Sequence, residues 1–188
     1  VVSYNLYDLL ATEEPLFTPE ECGTIIALYK DRMFEAGKVL SSGITAPLTR
    51  DNLIQFVPYD MTGEASWIFE RLWAAIAYFN QRFKFDLRGG FHEGFQFAKY
   101  EVGHFYNWHA DLGADKNALR KLSLIVQLSS PDTYTGGDVH FFPAGWVAPK
   151  VQGVALAFPA YIPHRVTPIR WGVRYSLVSW VAGVAPFA

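Results

Sequence analysis

The chain has 188 residues, 51% of them hydrophobic and 16% aromatic, with 16 basic against 18 acidic side chains. That composition is globular rather than disordered, and the length suits one domain. The near balance of charge argues against nucleic acid or an anionic membrane surface as a partner, and no apolar run approaches the roughly 20 residues that cross a bilayer.

The first half, residues 1–90, reads as helical support. In Thr18 to Met33 (TPEECGTIIALYKDRM) Thr18 is placed as N-cap, Pro19 as first helical residue and Glu21 as the return partner of a capping box. Ile25, Ile26, Leu28, Tyr29 and Met33 follow at helical spacing. Cys22 falls in the core of this helix. As a lone cysteine it excludes an internal disulfide framework and fits a reducing, cytoplasmic compartment. Between the helices lies a Ser-, Gly-, Thr- and Pro-containing segment, with a strand expected over Asn52 to Val57. Its part from Leu40 to Asp51 is a candidate lid. A second helix runs from about Gly63 to Phe83, with an apolar face wide enough to need a partner surface.

From about Phe91 the pattern changes to short β-like runs: FQFAKY, FYNWHA, LSLIVQL, DVHFF, VALAF, HRVTP and VRYSLVSWV, punctuated by Gly and Pro. Strands of this length at this rate predict a sandwich or barrel. No repeat or linker separates the halves, so the expectation is one mainly β domain, 1–188, with N-terminal helices packed on one sheet.

Within GHFYNWHADLG, His109 and Asp111 stand two apart, a spacing that puts both on one face of a strand. A His-x-acid pair alone is weak evidence; a metal site needs a third ligand, and His164, opening HRVTP after a Pro-rich turn, supplies it. Ten residues on, Arg174 stands in VRYSLVSW. Period-2 alternation puts Arg174, Ser176, Val178 and Trp180 on one face. An arginine in so apolar a strand is costly unless it meets an anion, and its planar fork suits a carboxylate.

In order along the chain these pieces are Tyr100-x-x-Gly103-x-x-Tyr106-x-x-His109-x-Asp111, Leu122-Ser123, Leu128-Ser129-Ser130-Pro131, Tyr134-x-Gly136-Gly137, His164-Arg165-Val166-Thr167-Pro168 and Gly172-Val173-Arg174. Over residues 91–182 the set resembles the Fe(II)- and 2-oxoglutarate-dependent oxygenases, particularly their prolyl 4-hydroxylase-like branch. The resemblance implies a double-stranded β-helix, or jelly-roll, core over 91–188. It implies Fe(II) on His109, Asp111 and His164, with 2-oxoglutarate and O2 as cosubstrates and ascorbate as a supportive reductant. Arg174 would take the distal carboxylate of 2-oxoglutarate, with Ser176, Tyr100 and Gln127 as further contacts and Trp180 in the substrate pocket. Gln127 stands where some relatives use a tyrosine, so the carboxylate contacts differ here. The implied reaction hydroxylates an unactivated C–H bond with release of succinate and CO2. A carboxylate at Asp111 favours hydroxylation over halogenation, whereas desaturation would use the same ligands. The first-choice substrate is a prolyl or other side chain in a protein or peptide; the alternative is a free amino acid or small metabolite.

The residues also admit blander assignments. Tyr100 and Trp180 are explained nearly as well by core packing, His92 by exposure, and His140 by packing within its strand. His104 falls opposite His109 in the alternation and is not expected to be a ligand. Two rival functions remain at this level: a cupin-like jelly-roll metalloenzyme that does without 2-oxoglutarate, and a non-catalytic β-sandwich binding module.

Overall fold

The structure, a computed structural model, describes residues 2–4, 9–38, 48–91, 93–142 and 146–187. The first half contains β1 (Val2–Tyr4), β2 (Leu9–Ala11), α1 (Pro19–Tyr29), β3 (Glu35–Ala36), β4 (Arg50–Asp51), β5 (Leu53–Val57) and α2 (Ser66–Phe83). The second half adds β6 (Phe95–Tyr100), β7 (Phe105–His109), β8 (Arg120–Gln127), β9 (Tyr134–Gly136) and β10 (Val139–Phe141). It ends with β11 (Trp146–Val147), β12 (Ala155–Pro159), β13 (His164–Val166), β14 (Ile169–Gly172) and β15 (Arg174–Ala182). Among the described residues, an eight-stranded sheet in the order β1-β2-β12-β8-β15-β6-β5-β3 faces a five-stranded sheet in the order β11-β10-β13-β7-β4. β14 and β9 form a separate ribbon. Two antiparallel sheets closing on each other make the expected jelly-roll, with helices on one side.

The central strands of the larger sheet explain the layering. All eight residues of β8 are buried, which a strand covered on both faces requires. Leu122, Leu124 and Val126 join the core beneath the helices, with Cys22, Ile25, Ile68, Phe69, Leu72 and Phe79. Ser123, Ile125 and Gln127 alternate to the other face, inside the roll. The inner core there holds Tyr100, Ile125, Phe141, Leu156, Phe158 and Val166. In β15 the same alternation sends Leu177 and Val181 to the helices and lines the interior with Arg174, Ser176, Val178 and Trp180.

The capping box of α1 forms as expected. The Glu21 amide donates to Thr18 Oγ1 at 3.2 Å and the Thr18 amide to Glu21 Oε2 at 2.9 Å, an arrangement worth roughly 1 kcal/mol. The helix stops at Tyr29, however, and Met33 is 90% exposed. Its helical spacing continues an apolar pattern past the point where the chain turns away toward β3. The first half is also less helical than its sequence suggests. β1 and β2 extend one edge of the larger sheet, β5 and β3 the other, and β4 closes the smaller sheet against β7. β5 matches the strand expected over Asn52 to Val57; the others have two or three residues, too few to show a period of two. β9, β11 and β14 escaped sequence reading for the same reason, and HRVTP divides into β13 and the approach to β14. His92 and residues 40–47 of the candidate lid lie outside the described residues.

Cys22 is fully buried, and burial, with Glu21 adding to it, pushes its thiol up to about 11. About one thiol in a thousand is then ionised at pH 8. The native protein should leave a disulfide reagent such as DTNB unreacted at pH 8, and one equivalent should react promptly in guanidinium. Prompt reaction of native protein would place Cys22 at the surface.

Candidate metal centre

β7 and β13 run antiparallel, and their register sets His109 directly opposite His164. The two imidazole centroids are 4.2 Å apart. Asp111 lies just beyond the end of β7. Its Oδ1 is 3.8 Å from His109 Nε2 and its Oδ2 3.7 Å from His164 Nε2. One ligand atom from each of the three lies within 4.8 Å of the others. Two imidazoles and one carboxylate on one side of a shared point form the facial donor set of non-haem iron, which leaves the opposite positions open. The sequence-predicted triad is therefore brought together, although Asp111 reaches it from a loop and not from the strand face.

Backbone carbonyls settle which nitrogen of each ring is available. His109 Nδ1 is 2.8 Å from the Asn107 carbonyl, and His164 Nδ1 is 3.1 Å from the Ile162 carbonyl. A carbonyl only accepts, so each Nδ1 carries the proton and each Nε2 turns a lone pair toward Asp111. Burial, reinforced by His164, pulls the His109 imidazole down to about 3, which keeps it neutral and able to ligate. Burial opposes ionisation of Asp111. The two imidazoles, the Arg120 guanidinium and the Ser123 hydroxyl nevertheless hold its carboxyl below the ordinary range. Ser123 Oγ donates to Asp111 Oδ2 at 2.7 Å, and Arg120 Nη1 to the Asp111 carbonyl at 3.1 Å.

Aromatic rings enclose the two histidines. Tyr106 stacks on His109 at 3.4 Å and 10°, and Phe158 meets His164 edge-on at 4.8 Å. Trp108 instead faces outward, 39% exposed, with Arg165 over its ring. Beside the triad, a cavity of about 320 Å³ opens between the sheets. Arg174, 1% exposed, lines it. Arg174 Nη2 donates to Gln127 Oε1 at 2.8 Å and Nη1 to Ser176 Oγ at 3.2 Å, both neutral acceptors. A buried guanidinium facing only neutral groups into a cavity is a site for a carboxylate. Tyr100 pairs with Arg174 in register, and its ring lies 5.3 Å under that guanidinium; burial pushes its phenol up and keeps it protonated. Trp180 lines the wall nearer Arg120, its indole Nε1 buried with no hydrogen-bond partner among the described residues. Every predicted site residue thus borders one cavity or, for Gln127, bonds directly to a residue that does.

Of the remaining histidines, His104 accepts the Glu101 amide at Nδ1, and His140 sits in β10 opposite Arg165. Neither joins the triad. Sequence reasoning missed Arg120, Glu93 and Arg50. Arg50 is buried and stacks on Tyr106 at 4.4 Å; its guanidinium is held by Asn52, Gln96 and the Lys38 carbonyl. The mixture of charge and apolar character around it carries no period to read. Ser123 was legible as part of the Leu122-Ser123 pair and as a same-face neighbour of Gln127, but not as a partner of Asp111.

The family model described as "2OG-Fe(II) oxygenase superfamily" matches residues 95–182. A PKHD-type hydroxylase of Synechococcus sp. (strain JA-2-3B'a(2-13)) is 38% identical over 88 residues, 44% of this chain and 39% of that protein. The chain thus spans well under half of that relative's length. A PKHD-type hydroxylase of Crocosphaera subtropica is 25% identical over 178 residues, 92% of this chain and 78% of that protein. The crystal structure of a Pseudomonas putida prolyl-4-hydroxylase superposes with a TM-score of 0.73 at 20% identity, covering 94% of each chain. A prolyl hydroxylase from Trichoplax adhaerens, in complex with a hypoxia inducible factor oxygen degradation domain peptide fragment, gives 0.66 at 18% identity over 95% and 84%. At these identities the structural likeness establishes the fold.

Substitution of His109 or His164 by alanine should lower Fe(II) affinity at least 100-fold in folded apoprotein, as measured by anaerobic equilibrium dialysis; affinity within threefold of the native value would remove that residue from the site. A depressed His109 also gives the apoprotein a pH signature. Between pH 6.5 and about 3 the unfolded chain binds the proton that the folded chain refuses. The stability contributed by neutral His109 is fully present above pH 6.5 and is lost as pH falls toward 3. The melting temperature of His109→Ala should therefore fall less steeply over that window than that of the native apoprotein.

Proposed function

From the match of residues 95–182 to the 2OG-Fe(II) oxygenase superfamily we propose that the chain is an Fe(II)- and 2-oxoglutarate-dependent hydroxylase whose active site is the cavity beside His109, Asp111 and His164. The observation that carries this reading is the pairing of two features in one cavity: a His-Asp-His donor set and, apart from it, a buried arginine with no acidic partner among the described residues. The first suits iron and the second a dicarboxylate anchored at its far end. A cupin-like enzyme without 2-oxoglutarate has no use for Arg174, and a binding module has no use for two histidines held in one tautomer.

His109, Asp111 and His164 would hold the iron, which supplies the activation of O2 needed to oxidise an unactivated C–H bond, with 2-oxoglutarate leaving as succinate and CO2. Asp111 fills an anionic ligand position, which favours hydroxylation over halogenation. Arg174 would bind the C5 carboxylate of 2-oxoglutarate bidentately, and Gln127 and Ser176 fix the plane of its guanidinium for that purpose. Tyr100, kept protonated by burial, offers a hydroxyl on the same side. Tyr106, Phe141 and Phe158 exclude water from the imidazoles.

The wall formed by Ile54, Phe56, Ile125, Val178 and Trp180 offers an apolar surface to a substrate ring or side chain. That surface, with neighbours named as prolyl hydroxylases, supports a prolyl or other side chain in a protein or peptide as substrate. Free amino acids and small metabolites fit the same volume.

Succinate release should depend on both Fe(II) and 2-oxoglutarate and rise with the correct substrate, found by screening proline-containing peptides against free amino acids. Arg174→Ala should raise the KM for 2-oxoglutarate at least tenfold. An unchanged KM would make Arg174 structural and favour the cupin-like alternative.

A further inference from the structure

The three donors of the metal centre are not held alike. His109 and His164 sit on paired strands whose register fixes them opposite each other. Asp111 lies past the end of β7, in a stretch without regular structure, where pairing no longer determines its position. The Leu112 amide that follows it donates to the Ala160 carbonyl at 2.8 Å, and β8 grips Asp111 itself at two points. Ser123 holds the carboxylate, and Arg120 holds the main-chain carbonyl.

Arg120 is itself immobilised. It is 2% exposed, and its Nε and Nη2 both lie 2.6 Å from Glu93 Oε2. Its remaining terminal nitrogen, Nη1, points at the Asp111 carbonyl, and the face of the guanidinium rests 4.0 Å from the Trp180 ring. With its edge and its face both engaged, the guanidinium has one orientation. The other oxygen of Glu93 faces exposed Lys116 at 3.5 Å. We propose that Arg120, aligned by Glu93, is a positioning residue for the metal centre, fixing the Asp111 main chain so that its carboxylate meets the two imidazoles.

This assignment rests on the metal-site reading above, and the test separates the two. Co(II) alone is titrated anaerobically into apoprotein, with its affinity and visible d–d spectrum as readouts. His109→Ala tests the site: Co(II) binding equal to native would overturn the metal centre itself. Glu93→Gln and Arg120→Lys test the positioning. Lysine keeps the charge but cannot reach Glu93 and the Asp111 carbonyl together. Each should weaken Co(II) about 10- to 100-fold, as loss of a group that orients a ligand does, and change the shape of the spectrum. Lys116→Ala, which removes only the exposed partner, should bind as native. Should the single variants fail to fold, Glu93→Leu combined with Arg120→Met removes both charges together, which the fold tolerates better than an unpaired one, and should show the same weakening. Native Co(II) affinity and spectrum in any folded variant lacking Arg120 or Glu93 would overturn the proposal.

Discussion

A carboxylate withdrawn from water is the constraint around which this molecule is arranged. Asp111 is 4% exposed, and an isolated charge at that depth is untenable. The fold meets the cost locally. A serine hydroxyl donates to one carboxylate oxygen and an arginine to the residue's carbonyl, while the two imidazole lone pairs that face the carboxylate leave its charge only partly compensated. Ser123 and Arg120 come from β8 and the imidazoles from β7 and β13, so these groups meet the carboxylate only when both sheets are formed. A cation placed among the three donors would complete the balance that the protein groups leave partial.

The two sheets divide the work. The smaller one carries the histidines, whose separation is fixed by the pairing of β7 with β13. The larger one carries Arg174, Ser176, Gln127 and Tyr100, neighbours in register on β15, β8 and β6. The helices cover only the outer face of the larger sheet, which leaves its inner face free to look into the cavity. Polar side chains on that inner face are tolerated because they bond to one another, while their strand neighbours bury Leu177, Val126 and Leu124 against α1 and α2.

Three buried arginines border this cavity, and their partners differentiate them. Arg120 is neutralised by Glu93 and turned toward the backbone of a donor residue. Arg50 is held by three neutral oxygens and lies flat on Tyr106, which lies flat on His109. Arg174 is held by two neutral oxygens and faces the open cavity. The same side chain is thus neutralised by a carboxylate in one place and turned toward an open cavity in another. Residue type alone does not distinguish them; the groups packed around each guanidinium do.

How much was legible in the sequence follows from the range of each interaction. Alternation within a single strand is a local property, so the face shared by Arg174, Ser176, Val178 and Trp180 was readable, as was the capping box of α1. The ordered spacing of His109, Asp111, His164 and Arg174 was readable because it is a pattern along one chain. Tertiary structure alone decided what depends on pairing between distant strands. That includes β1 to β4, whose two or three residues show no period, and the seating of His164 opposite His109 across 55 positions. It includes Arg120 most of all. Period-2 alternation would set it on the face opposite Ser123, but the strand register shifts between Val181 and Ala182, next to its partner position, and the guanidinium turns to Asp111 and Glu93 instead. Sequence determined which chemical groups were available and on which local faces they stood; the meeting of two sheets decided which of them share a point in space.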